Sequence, residues 1–189
     1  MNIPSYTVVF CLYLIIQYII MAETKFKGNP IHLAGDFPQK GTKARDFVLV
    51  KNDLNTLRLS DLRGKTVVLN IFPSLDTSVC STTVRRFNQL ASAFPNTVVL
   101  CISRDLPFAQ SRFCVAEGIN DVITLSDFHL HSPFGRDYGV LMTDGPLSGL
   151  FARAIIVISP EGTVIHTQLL PEVTQEPDYK AALESRREE

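Results

Sequence analysis

Three runs of apolar, mostly β-branched residues stand at wide intervals along the chain: VVLNIF at 67–72, VVLCI at 98–102 and AIIVI at 154–158. Runs that are apolar at consecutive positions suit strands buried on both faces, so each is expected near the centre of a covered sheet. Between the first two, Val84, Phe87, Ala91 and Phe94 recur at alternating spacings of three and four, which predicts a helix packed on one side. Strand, helix and strand make a βαβ unit. After the second run, Asp105 as N-cap, Pro107 in a first turn and Gly118 as a stop frame another helix over 106–117. SPEG at 159–162 is a turn by composition, and it predicts an antiparallel hairpin between 155–158 and 164–168. At the other end, two short alternating stretches within 25–33 flank Gly28, Asn29 and Pro30, the pattern of an opening β-hairpin, and 34–43 reads as loop. A terminal helix is expected over 177–183. The whole describes an α/β fold, a mixed sheet flanked by helices with an N-terminal β-hairpin, and a thioredoxin-like arrangement fits the order of elements.

The first 22 residues differ from the rest. Residues 1–22 carry no charge and are nearly continuously apolar from Val8 onward. A cleaved signal ordinarily has Lys or Arg ahead of its apolar stretch, and this one has none. Read as a helix, 6–22 covers roughly 25 Å at about 1.5 Å per residue, short of a hydrocarbon layer of ~30 Å. Three readings stay open: an extension ahead of the true start, at Met21, a membrane anchor, or a signal peptide. Residues 23–189 form one domain, with no repeat and no Gly- or Ser-rich linker to divide them.

Composition narrows the class. Lys and Arg total 18 against 19 Asp and Glu, with no basic run, so nothing points to a nucleic-acid partner. Four cysteines, Cys11, Cys80, Cys101 and Cys114, are too few and too uneven for a disulfide-stapled scaffold, and none forms the CxxC or CxxH spacing of a zinc site. No metal or cofactor is called for. Reactive thiols in a reducing compartment are the better class, and a cytoplasmic location is expected unless 1–22 directs the chain to a membrane or outside the cell.

Cys80 sits just beyond the carboxyl end of the first buried strand, where the next helix begins, and a helix N-terminus favours a thiolate. The magnitudes show that this is insufficient. Holding a thiol of ordinary pKa about 8.5 mostly ionised near pH 6 takes about 3.4 kcal/mol, whereas a helix terminus supplies at most about 2 kcal/mol. A nearby guanidinium would make up the difference. Thr77, one turn before Cys80, can offer its hydroxyl to the sulfur or to a bound oxygen, and Pro73 fixes the chain as it leaves the strand.

Pro73, Thr77 and Cys80 in PSLDTSVC match the PxxxTxxC active-site motif of the peroxiredoxins. The stretches LNIFPS, RFNQLA, NTVVLCIS, DLPFAQSRFC, EGIN, DGPLSGL and LFARAIIVI resemble the bacterial thiol peroxidases, which are atypical two-cysteine peroxiredoxins, and the similarity covers about 25–182. The resemblance implies that Cys80 is the peroxidatic cysteine and Cys114, in SRFC, the resolving one, joined by an intramolecular Cys80–Cys114 disulfide during turnover. It makes Arg153 in FARA the active-site arginine, thioredoxin the reductant, hydrogen peroxide and organic hydroperoxides the substrates, and the chain a homodimer. Both cysteines fall on helices, so local unwinding around Cys80 is expected before they can join.

Other residues have plainer readings. Cys101 lies inside an apolar run and reads as core. His129 and His131 lack a third ligand nearby and read as exposed loop residues. Asp144, Gly145 and Pro146 mark a turn. Phe108, Phe113 and Leu147 read as core or dimer contacts. Two other functions share the same fold: a peroxide-sensing interaction protein whose Cys80 oxidises once, separable by testing for multiple turnover, and a thiol–disulfide oxidoreductase, which the lack of CxxC disfavours.

Overall fold

A computed structural model describes residues 22–185. The expectations for 1–21, Cys11 among them, lie outside the described residues. Two strands open the fold, β1 (Glu23–Phe26) and β2 (Asn29–Ala34). They pair antiparallel as expected, but Phe26 faces Asn29 and Lys25 faces Pro30, so the turn is Lys27–Gly28 and not the Gly-Asn-Pro segment. Lys27 and Gly28 have φ of 53° and 81°. A two-residue hairpin turn with positive φ at both centres matches the twist of the flanking strands, and Gly28 takes that conformation freely.

The main sheet has seven strands in the order β10-β9-β5-β6-β7-β3-β4. These are β3 (Val48–Lys51), β4 (Thr56–Arg58), β5 (Thr66–Ile71), β6 (Thr97–Ser103), β7 (Ile123–Ser126), β9 (Ala154–Ile158) and β10 (Val164–Leu169). β8 (Leu141–Met142) joins β2 in a separate three-stranded sheet. β5, β6 and β7 run parallel, and β9 lies antiparallel on β5. Four helices accompany them: α1 (Ser78–Ala91), α2 (Pro107–Glu117), the single turn α3 (Phe134–Asp137) and α4 (Tyr179–Glu184).

Alternation along β5 explains why the central strands are almost wholly apolar. Val67, Leu69 and Ile71 enter one core with Phe134, Tyr138 and Phe151, whereas Val68 enters the other with Val84 and Phe87 of α1 and Leu183 of α4. Each face of the pleat has its own cover, and the one polar side chain at the strand's centre, the buried Asn70, donates to Cys101 Sγ at 3.4 Å. The cover is unequal: α1, α2 and α4 contribute to one core, while α3 and a 3-10 turn at Leu59–Leu62 serve the other. Gly35 marks a close approach between layers. At φ +85°, a Cβ there would lie 1.8 Å from the Arg136 carbonyl oxygen.

Local stops follow the sequence with one exception. Gly118 closes α2 at φ 64°, donating its N–H to the Cys114 carbonyl. Asp105 is not the N-cap of α2; Leu106 is, without a side-chain bond, because the Asp105 carboxylate is engaged elsewhere. Among the described residues, no helix is long and apolar enough to cross a membrane.

Candidate active site

β5 ends at Ile71, and the Phe72 N–H still reaches the Ile102 carbonyl at 3.1 Å before the buried Pro73 ends the ladder. Thr77 takes an extended conformation, φ −97° and ψ 142°, and stands as N-cap of α1. Cys80 therefore lies in the first turn, where unpaired backbone N–H groups converge. Cys80, Thr83, Val84 and Phe87 form the buried stripe of α1, at the spacing of one helix face. The Cys80 side chain has no exposed surface.

Arg153 arrives from the neighbouring strand. Ile71 pairs with Ala154, so the residue just before β9 emerges at the end of the sheet where α1 begins. Only 1% of Arg153 is exposed. Its Nη2 donates to Cys80 Sγ at 3.1 Å, its Nη1 to Thr83 Oγ1 at 3.3 Å and its Nε to the Val173 carbonyl at 2.9 Å. No carboxylate among the described residues lies within ion-pair distance of it. A buried guanidinium without a counter-charge is costly, and its bonds to the sulfur, the Thr83 hydroxyl and the Val173 carbonyl offset part of that cost.

Thr83 completes the cradle. Its hydroxyl donates to the Val79 carbonyl at 2.7 Å and accepts from Arg153 and, at 3.3 Å, from the Tyr179 hydroxyl. The Tyr179 proton can go instead to Glu176 Oε2, 2.9 Å away, since a phenol donates one bond at a time. Burial, with the acceptor Glu176 adding to it, pushes the Tyr179 hydroxyl up to about 12. The Tyr179 ring meets Phe87 edge-on at 5.3 Å, which fixes α4 against α1.

The remaining thiols differ in kind. Cys114 is on α2, in the same core as Cys80, with Sγ 3.7 Å from Thr124 Oγ1, and burial pushes its thiol up. Cys101 is fully enclosed in β6, accepts from Asn70 Nδ2 at 3.4 Å and is pushed up to about 12 by burial, a core thiol. All three are free.

The structure thus brings Cys80 and Arg153 into contact and places Pro73 in the loop leading to them. Thr77 is exposed, and its hydroxyl donates to the Ser74 carbonyl at 3.1 Å, so it is not on the sulfur. Cys114 remains on its own helix. His129 and His131 are exposed. Phe108 is 64% exposed and so is not a core residue, whereas Phe113 and Leu147 pack half-buried against the cores. Thr83, Val173 and Tyr179 escaped the sequence reading; only Thr83 had a signal, its place on the helical stripe of Cys80.

The sequence profile of the redoxin family matches residues 39–183. The chain is 50% identical over 163 residues to the thiol peroxidase of Corynebacterium glutamicum, covering 86% of this chain and 98% of that one. Identity to the thiol peroxidase of Mycobacterium tuberculosis is 51%, covering 86% and 97%. The crystal structure of a peroxiredoxin-like protein from Aquifex aeolicus superposes with a TM-score of 0.83 at 38% identity, over 89% of this chain and 98% of that one.

Proposed function

Because the chain belongs to the redoxin family, as a peroxidase of the thiol peroxidase kind, we propose that it reduces hydrogen peroxide and organic hydroperoxides through Cys80. The observation that carries this reading is the contact between Arg153 Nη2 and Cys80 Sγ at the start of α1. In the first step the Cys80 thiolate attacks one peroxide oxygen. An S–O bond forms as the O–O bond breaks, the sulfur loses two electrons, and the departing hydroxide or alkoxide takes a proton and leaves as water or alcohol. The Arg153 guanidinium stabilises charge on the sulfur beforehand and on the departing oxygen during the step. Thr77 turns its hydroxyl from the Ser74 carbonyl to orient the peroxide, and Pro73 shapes the loop that admits it.

The Cys114 thiolate then attacks the sulfenic sulfur. An S–S bond forms, hydroxide leaves and is protonated to water. Burial that holds the Cys114 thiol up supports a division of labour in which it ionises only once its helix loosens. Thioredoxin returns both thiols by exchange through a mixed disulfide. The working form is a homodimer in the cytoplasm, and the exposed Phe108 and Val115 of α2 are the apolar surface that a second copy would cover.

Thioredoxin-coupled NADPH oxidation tests the assignment. Cys80→Ser is expected to abolish peroxide consumption, and an undiminished rate would overturn it. Cys114→Ser is expected to keep a single oxidation of Cys80 and to lose cycling with thioredoxin. Many turnovers per wild-type chain separate an enzyme from a one-shot peroxide sensor.

A further inference from the structure

Joining Cys80 to Cys114 needs Cα atoms within about 7 Å. The two thiols are buried on different helices, so part of α1 or α2 must open, and the ties that resist this opening set how fast the sulfenic acid is resolved. Further along α1, Arg153 holds Cys80 and Thr83, and Arg85 pairs with Glu117 of α2 through two bonds of 2.7 and 3.0 Å; the ties of the segment that enters the helix are fewer. Thr77 supplies no side-chain cap, since its hydroxyl points back to Ser74, and the first turn rests on backbone bonds such as Ser81 N–H to the Thr77 carbonyl at 3.0 Å. The side-chain tie of that entering segment lies just upstream, at Asp105.

Asp105 Oδ1 accepts from Ser74 Oγ at 2.7 Å, and Oδ2 accepts from the Leu75 N–H at 2.8 Å and from Ser103 Oγ at 2.7 Å. Ser74 and Leu75 belong to the loop between β5 and Cys80. Asp105 itself stands directly before Leu106, the N-cap of α2, which carries Cys114. The knot is held from below: Gln110, a fully buried residue of α2, donates to Ser103 Oγ at 3.1 Å and to the Leu125 carbonyl at 2.9 Å, and Ser126 Oγ donates to the Asp105 carbonyl. One carboxylate thus fastens the loop that leads to Cys80 to the start of the helix that holds Cys114.

We propose that Asp105 is a positioning residue, a latch that keeps the Cys80 loop and the start of α2 closed and so sets the partition of oxidised Cys80 between disulfide formation and further oxidation. This rests on the reading of Cys80 and Cys114 as the reacting pair. While the latch is closed the sulfenic acid stays in its pocket, where a second peroxide can take it to sulfinic acid, losing two more electrons to a second O–O bond. When the latch opens, Cys114 reaches the sulfur.

The test is quench-flow mass spectrometry of Cys80 across a peroxide series, scoring disulfide against sulfinic acid. In Asp105→Ala the peroxide concentration that gives equal amounts of the two is expected to rise about tenfold, the scale of a lost hydrogen bond to a charged group. Asp105→Asn, which keeps the volume but exchanges one acceptor for a donor, should give an intermediate rise. Ser74→Ala removes a single donor, should give a smaller rise, and keeps the test alive should the Asp105 variants fail to fold. Hydrogen exchange of the Leu75 amide should accelerate in step. Gly35→Ala, placed in a different layer, controls for general loss of stability and should leave the partition unmoved. An unchanged or lowered partition in Asp105→Ala or Ser74→Ala would overturn the latch, as would a rise of equal size in Gly35→Ala. Absence of any Cys80–Cys114 disulfide in the wild type would instead overturn the assignment of the pair.

Discussion

Replacing Arg153 by Met removes the guanidinium and leaves an apolar side chain of similar reach. Three acceptors then lose their donor: Cys80 Sγ, Thr83 Oγ1 and the Val173 carbonyl. The first loss bears on chemistry. A hydrogen bond to a charged group is worth about 1.5–3 kcal/mol, and at 1.36 kcal/mol per decade that slows oxidation of Cys80 by roughly ten- to hundredfold. The other two losses bear on stability. Thr83 keeps its bonds to the Val79 carbonyl and the Tyr179 hydroxyl, so only the Val173 carbonyl is left unpaired, at a cost of about 1–3 kcal/mol, but a buried cation without a counter-charge has been removed as well, and the two effects oppose each other. A large rate loss with a modest change in stability is therefore the expected signature. Arg153→Lys keeps the charge but gives up the planar fork that bridges three partners, so it should recover only part of the rate. The assay is the rate of Cys80 oxidation under limiting peroxide, followed by mass spectrometry because the chain has no tryptophan to report by fluorescence. Oxidation of Arg153→Met within twofold of the wild-type rate would refute the role given to this contact.

Two further outcomes concern the scaffold. Asp127 is 3% exposed with Oδ1 unpartnered, and burial pushes its carboxyl from 3.8 to about 6 despite the Ser132 hydroxyl and Arg104 beside it. The raised value means that the folded chain keeps a proton the unfolded chain has released, so stability falls as pH rises from about 4 to 6 and the loss is complete above that; Asp127→Asn should recover up to about 3 kcal/mol at pH 7.5 and almost nothing at pH 4, as read from urea unfolding, and a gain equal at both pH values would refute the account. Gly35→Ala should lower the melting temperature by roughly 6–12 °C, from about 3 kcal/mol of clash and backbone strain, whereas Gly41→Ala, also at positive φ but with open space around its Cβ, should cost clearly less.

The parts of the fold that were legible in the sequence are those whose burial is total. β5, β6 and β9 declare themselves because both faces are covered, and α1 because its inner stripe recurs at helical spacing. β4 and β7 are three and four residues long, and β7 ends in Ser126, so neither carries a pattern strong enough to mark a strand. In the site, the charge estimate asked for a cation beside Cys80, and the resemblance of the FARA stretch to the thiol peroxidases is what pointed to Arg153. Val173 and Tyr179 were not legible, since each meets the site through folding rather than through proximity in the chain, and Thr83 left only its place on the helical stripe of Cys80 as a signal. Asp105 shows the same limit in reverse. A short acidic side chain before Pro107 is a reasonable cap by local rules, yet Ser74 and Leu75, remote in sequence, supply better donors and win the carboxylate.

The pairing of Ile71 with Ala154 acts as a ruler between the two halves of the candidate active site, and it is graduated from one end only. Removing a single residue between Ala154 and Ile158, with the later residues held in register by β10, would turn Arg153 to the opposite face and carry it away from the sulfur. The turn at Ser159–Gly162 lies past the far end of that ruler and can lengthen without altering the distance from Arg153 to Cys80. A peptide tag or a reporter domain therefore has a natural port there, on a peroxidase whose chemistry is measured out before the chain reaches the insertion.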